Sequence, residues 1–320
     1  MTLATTQENH SVQWLEITED HDEQRIDNYL ITLLKGVPKS YIYRIIRKGE
    51  VRVNKGRIDV SYRLQPGDII RVPPLRYSDK STDDVPLNRQ LSSVLENNIL
   101  FEDDSLLIIN KPSGVAVHGG SGLDSGLIEC LRQSREQQKF LELVHRLDRD
   151  TSGCLLIAKK RSALRILHEQ FRSDKISKTY LALLAGQWER KKIVVNQPLV
   201  KNIKKSGERM VMISHAGKAS ETVFKRLQRF ADATLVEASP ITGRTHQIRV
   251  HAAFLNHPII GDQRYGYDEV NKSFKKRGYK CLFLHAETLQ FTHPASGCPV
   301  SVTAPLPNPF SDFIAHEKQV

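Results

Sequence analysis

From Pro73 to Asn98 the hydrophobic periodicity of the chain lapses. Pro73-Pro74, the polar run from Ser78 to Asp84 and Pro86 interrupt helices and central strands alike, and they read as a linker. A chain broken there folds as two bodies of unequal length. The sequence divides into an acidic flexible N-terminus at 1–24, a compact module at 25–76, a linker at 77–98 and a large domain at 99–320. At 320 residues the chain is long enough for packed cores without disulfides or metals as staples.

The charge is partitioned along the same lines. Residues 1–24 hold six acids and no Lys or Arg, whereas 25–76 hold twelve bases and four acids. The net charge of +11 implies a polyanionic partner, nucleic acid first. A merely solvated basic face is the plainer alternative. Apolar runs such as Tyr180 to Ala185 fall far short of the ~20 residues of a membrane span, so no membrane partner is expected. The acidic start resembles neither a secretory signal nor a mitochondrial presequence. Cys130, Cys154, Cys281 and Cys298 form no Cys-x-x-Cys pair and read as reduced structural thiols of a cytoplasmic protein.

Within the module, Ile26, Leu30, Leu33 and Leu34 recur at helical spacing. Pro38 opens a second helix with Ile42, Ile45 and Ile46 on one face, and Gly49 stops it. Its other face carries Arg44, Arg47 and Lys48. Val51-Arg52-Val53, a turn at 54–56 and a return through Ile58 and Val60 predict a hairpin, and Ile69 to Val72 a further strand. The stretches Arg25 to Leu30, Gly49 to Asn54 and Pro66-Gly67-Asp68 resemble the RNA-binding module named for protein four of the small ribosomal particle. The resemblance makes Arg44, Arg47, Lys48 and Arg52 RNA-binding residues.

Beyond residue 98, strand-like runs at 106–109, 154–158, 180–184, 234–238 and 282–284 outnumber helices, among which Leu164, Leu167, His168 and Phe171 mark one face. Their irregular order predicts a mixed α+β domain rather than a doubly wound sheet. Three constellations stand out. Asn110 to Gly114, followed by His118-Gly119-Gly120-Ser121-Gly122, leads a strand into a glycine-rich loop. It lacks dinucleotide and Gly-Lys-Ser/Thr spacing, so a loop approaching a nucleic-acid backbone fits better than a nucleotide cofactor. His145 to Gly153 packs two acids and two arginines into one loop: Arg146 and Arg149 flank Asp148, with Asp150 beside them. It reads either as a salt-bridged turn with Asp150 capping local amides or as a functional carboxylate kept ionised by arginine. Thr242 to His251 sets His246 and His251 five apart, without the spacing of a helical zinc pair, so no metal is expected. Arg244 and Arg249 then face phosphate or an acidic side chain. No Gly-x-Ser-x-Gly elbow supports hydrolysis.

Five runs, in order, resemble the A-type family of pseudouridine synthases that act on large-ribosomal-particle RNA: 110–114, 145–153, Lys178-Thr179-Tyr180, 243–249 and Gly261 to Gly266. The resemblance implies a mixed, mainly antiparallel sheet domain that isomerises uridine in RNA to pseudouridine, with no cofactor or metal. It implies Asp148 as the catalytic carboxylate, Arg249 (with Arg244 second) as its ion-pair partner, and Tyr180 as the ring under the uracil and an aid to removing its C5 proton. Arg146 would fill the gap left by an extruded uridine, and Lys111, His145 and Arg244 would contact RNA. A packed strand residue is the alternative for His145 and for Tyr180. The expected partner is 23S rRNA or an assembly intermediate of the large subunit, bound by a monomer. A synthase acting on tRNA and a non-catalytic RNA-binding assembly factor are the competing functions.

Overall fold

The computed structural model describes residues 8–9, 11–18, 21–34, 37–76, 88–119, 126–203 and 209–319. The chain forms two compact units, Met1–Pro86 and Leu87–Val320.

The first unit comprises β1 (Glu8–Asn9), β2 (Gln13–Glu16), α1 (Ile26–Leu33), α2 (Lys39–Arg47), β3 (Arg52–Val53), β4 (Ile69–Val72) and β5 (Leu75–Arg76). Ile26 and Leu30 of α1 pack with Ile42, Ile45 and Ile46 of α2 against Val53 and Ile70, all buried. Pro38 caps α2, and Gly49 leaves it at φ +72°. Arg44, Arg47 and Lys48 stay exposed on the far side, with the Arg44 guanidinium 4.3 Å from the Tyr41 ring centroid. Two expectations change here. The N-terminal stretch is not all flexible: β2 pairs with β4, and Ile17 is buried in the module core. The hairpin return through Ile58 and Val60 does not form, since β3 pairs with β4 instead. Asn54 explains the switch. Its amide donates to Asp68 Oδ1 at 2.8 Å and its carbonyl accepts from Ile69 N at 2.9 Å, tying the turn to the start of β4.

The second unit opens with α3 (Arg89–Glu96), β6 (Ile99–Glu102), β7 (Leu106–Lys111), α4 (Leu127–Ser134), β8 (Glu142–Leu143), β9 (Ser152–Ala158), α5 (Arg161–Arg172) and β10 (Ser177–Ala185). It continues with β11 (Lys192–Asn196), β12 (Leu199–Ile203), β13 (Arg209–Ile213), β14 (Glu221–Arg229), β15 (Ala233–Pro240), α6 (Gln247–Phe254), α7 (Asp268–Lys276), β16 (Leu284–Thr292), β17 (Pro299–Thr303) and α8 (Asn308–His316). The expected linker is therefore helical over 89–96. Asn88 accepts from Leu91 N at 2.9 Å, and Leu95 is buried with Leu107 and Ile128. The part of it at 77–87 lies outside the described residues. Leu282 and Phe283 precede β16 rather than forming a strand.

Ten strands form one sheet in the order β11-β14-β15-β10-β16-β9-β7-β6, with β17 on β16 and β8 on β9. Every pairing in it is antiparallel except β16 with β9. Strands β7 and β9 are apolar on both faces, as a doubly covered strand requires. Leu107, Ile109, Leu155 and Ile157 face α4, and Leu106, Ile108 and Leu156 face α5. The parallel contact is short, pairing Ser152 with His285 and Gly153 with Ala286. It is also tight. A Cβ on Gly153 would lie 2.1 Å from the Ala286 carbonyl oxygen, and Gly153 has φ +108°. Ala286 in turn pairs with Tyr180, next to a register shift in β10. This seam sets Tyr180 two strands from the chain that follows Asp148.

Candidate active site

Asp148 lies in the turn between β8 and β9, and its backbone is held from several sides. Leu147 is buried in the core below it. On the N-terminal side the His145 ring packs at 5.2 Å on Phe171 and its Nε2 accepts from Leu156 N at 3.0 Å. Burial, reinforced by Lys178, pushes His145 down to about 3, so it is a neutral anchor within the protein. Half-buried, His145 combines this packing with a place on the wall of the cleft that holds Asp148. On the C-terminal side, the Asn110–Gly114 run clamps the chain. Lys111 Nζ and Gly114 N both donate to Arg149 O, at 2.8 and 3.0 Å, and Ser113 Oγ donates to Asp150 O at 2.7 Å.

Lys111 departs from the expected RNA contact. Its side chain is fully buried, with Nζ donating at 2.8 Å to the carbonyls of Pro112, Val115 and Arg149. Burial pushes it down to about 7, opposed by Asp150 and Asp148. Three carbonyl acceptors need three N–H groups, which only the ammonium provides, so we assign the charged form. It shapes the turn and does not reach RNA. The glycines at 120 and 122 of the same motif lie outside the described residues.

Arg249 comes from the other half of the sheet, on α6. Its Nη1 donates to Asp148 Oδ2 at 2.9 Å, while Nε and Nη2 donate to Asp262 at 2.7 and 2.8 Å. A guanidinium fork can serve two carboxylates at once, as an ammonium cannot. Burial works against its charge, but Asp262 and then Asp148 outweigh it and raise its pKa. Burial likewise disfavours ionised Asp262, and the hydrogen bonds from Arg249, Arg264 N and Tyr265 N reverse this and lower its pKa. Gly261 lets the chain turn into Asp262: its φ is +80°, and a Cβ there would lie 1.8 Å from Cys281 O. Arg244, the second candidate partner, sends its Nε to Ala219 O at 3.1 Å instead.

The sequence singles out the run around Asp262 but gives that residue no role. A buried acid following a glycine is the available signal. Gln247 is also new. Its carbonyl accepts from Thr242 Oγ1 and Arg244 N, and its amide donates to Glu221 O and Thr222 Oγ1, which pins the turn before α6. His251 is buried between Thr222 and Gln197, away from His246.

A cleft of about 270 Å³ joins Arg146, Asp148, Tyr180, Arg244, His246 and Arg249. Its volume is near that of small-ligand sites. A second cleft, of about 580 Å³, shares Arg146, Asp148, His246 and Arg249 and adds Arg149 and Arg264. Asp148 is 26% exposed and stands where the two meet. Burial, then the Asp148 anion, pushes the Tyr180 phenol up, so it stays protonated. Arg44, Arg47, Lys48 and Arg52 belong to the other unit, with Arg52 Nε donating to Gly49 O.

Residues 105–254 match the family described as RNA pseudouridylate synthase, and residues 24–70 match the S4 domain. The chain is 58% identical over 291 residues to ribosomal large subunit pseudouridine synthase C of Haemophilus influenzae, covering 90% of each chain. It is 56% identical over 301 residues to the protein of that name from Escherichia coli, covering 93% of this chain and 94% of that one. The chain belongs to the RNA pseudouridylate synthase family. The solved structure of human RNA pseudouridylate synthase domain containing 4 covers 71% of this chain and 95% of that one at 27% identity, with a TM-score of 0.58. As a pseudouridine synthase the protein is an isomerase, carrying an S4 RNA-binding module ahead of its catalytic sheet. Among the described residues no helix is long and apolar enough to cross a membrane.

Proposed function

We propose that this chain converts uridines of 23S ribosomal RNA, in the large subunit or its assembly intermediates, to pseudouridine in the cytoplasm, with Asp148 as the carboxylate that acts on the ribose. The observation that carries this reading is the Asp148–Arg249 pair, at 2.9 Å, on the wall of the cleft that also holds Tyr180. The names of the relatives support the large-subunit substrate. Four unpaired thiols suit a reducing compartment.

In the reaction the bond from N1 to C1′ breaks, the uracil turns, and C5 bonds to C1′. N1 regains a proton as C5 loses one, so nothing is added overall. Cleavage builds positive charge on the sugar, and a fixed carboxylate stabilises it, whether by adding to C1′ or by taking the C2′ proton. Arg249 Nη1 holds Asp148 Oδ2 at 2.9 Å and so fixes the carboxylate against the ribose. The protonated Tyr180 ring stacks under the base, with its oxygen near the C5 side. Arg146, exposed at the rim of both clefts, fills the gap left by the extruded uridine. The basic face of the first unit supplies phosphate affinity and raises the local concentration of target uridines.

The test maps pseudouridines in rRNA and tRNA of cells lacking the protein, complemented with wild type or Asp148→Asn. Loss of 23S sites that wild type restores and Asp148→Asn does not is the expected outcome. Loss confined to tRNA would replace the substrate. Full restoration by Asp148→Asn would remove the catalytic role and leave an RNA-binding assembly factor.

A further inference from the structure

The ring of His246 lies between the phenol of Tyr265 and the carboxylate of Asp148. His246 precedes α6 with φ +53°, a left-handed backbone that few non-glycine residues adopt. Its Nδ1 is 2.8 Å from Tyr265 Oη, which itself accepts from Val211 N at 3.0 Å. A phenol has one proton to give. Among the described residues His246 Nδ1 is the acceptor placed to take it, so Nδ1 accepts and the ring proton resides on Nε2. The other end of the ring agrees. Nε2 stands 3.6 Å from Asp148 Oδ2, where a lone pair would oppose the carboxylate and an N–H attracts it. Arg249 Nη1 donates to that same Oδ2. No protein donor among the described residues reaches Asp148 Oδ1.

We propose that His246 is a positioning residue, a neutral imidazole fixed by Tyr265 in the Nε2–H form, which joins Arg249 in holding Asp148 Oδ2 and leaves Oδ1 to the ribose. This rests on the reading of Asp148 as the carboxylate that acts on the sugar. The 3.6 Å separation is longer than a hydrogen bond, and a shift of well under 1 Å on substrate binding would close it, as catalytic hydrogen bonds commonly tighten when substrate binds. The groups facing the ring favour its neutral form on balance. Burial lowers the His246 pKa most; Asp148 opposes, Arg249 and Arg264 add to the lowering, and Asp262 opposes weakly.

The experiment compares the full-length wild type with His246→Ala, His246→Gln and Tyr265→Phe on an rRNA fragment transcribed without modifications. Alanine and glutamine bear the same left-handed backbone, so their difference isolates the side chain. The glutamine amide can place an N–H where Nε2 stands. His246→Ala should lose about 10- to 100-fold in kcat with KM nearly unchanged, the worth of one hydrogen bond to a charged group. His246→Gln should recover most of that loss. Imidazole 15N spectra, with the His246 signal identified by its absence from the glutamine variant, should show the Nε2–H tautomer in wild type and a mixture in Tyr265→Phe. A wild-type Nδ1–H tautomer, or a glutamine variant as slow as alanine, overturns the proposal. Asp148→Asn is run alongside: if it retains activity, the reading of Asp148 fails, whatever the histidine variants do.

Discussion

Replacing Asp262 with asparagine keeps the shape of a fully buried side chain and removes its charge. Oδ1 accepts from Arg249 Nη2, Arg264 N and Tyr265 N, and the asparagine carbonyl can keep all three. Oδ2 accepts from Arg249 Nε at 2.7 Å, and there the new amide sets an N–H against an N–H. Breaking a buried ion pair from one side costs about 3–5 kcal/mol. Asp148 remains as a second, partly solvated partner, which puts the expectation at the lower end, roughly 3 kcal/mol. For a domain of this size that is a fall of roughly 6–12 °C in Tm. Denaturant and thermal unfolding at pH 7 measure it, and product formation on rRNA should fall too, because the fork that aims at Asp148 loses its rear anchor. The pH dependence supplies an independent check. Asp262 has a lowered folded pKa, so its contribution is complete above the unfolded value of about 3.9 and is lost as pH falls through the folded value. The gap between wild type and variant should therefore shrink as pH drops from 5 toward 3. A variant as stable as wild type at pH 7, or a gap unchanged by acid, would refute the reasoning.

Gly153→Ala drives a Cβ to within 2.1 Å of the Ala286 carbonyl oxygen at a φ of +108°, so it should cost more than about 3 kcal/mol, and a native-like melting curve would contradict the seam. Lys111→Met removes a fully buried ammonium from three part-buried carbonyls and should cost about 3 kcal/mol, while the folded fraction binds rRNA as wild type does in a filter-binding titration. Arg44→Gln combined with Arg47→Gln and Lys48→Gln should weaken rRNA binding and make its salt dependence shallower by about 2 in the log–log slope, while the module stays folded and loses no more than about 1–2 kcal/mol from the end of α2.

Much of the fold is legible in local rules. Helix faces such as Ile42, Ile45 and Ile46, and strands such as β7 and β9, are written in periodicity and in the turn residues that end them. The motifs resembling a known family marked Asp148, Tyr180 and Arg249 as a set, and the structure lines one cleft with all three. Roles that need distant stretches of chain to meet emerge from the packing. Asp262 and Lys111 owe their roles to burial, which removes water and forces each charge onto whatever partners the fold supplies. The resemblance set Lys111 among the RNA contacts, yet at the end of β7 three carbonyls enclose it. The helix at 89–96 was hidden among polar linker residues, since a single buried turn around Leu95 leaves too short a pattern to read. The parallel seam between β9 and β16 has no local mark beyond a glycine, because a contact across 133 residues is set by the packing of the whole sheet.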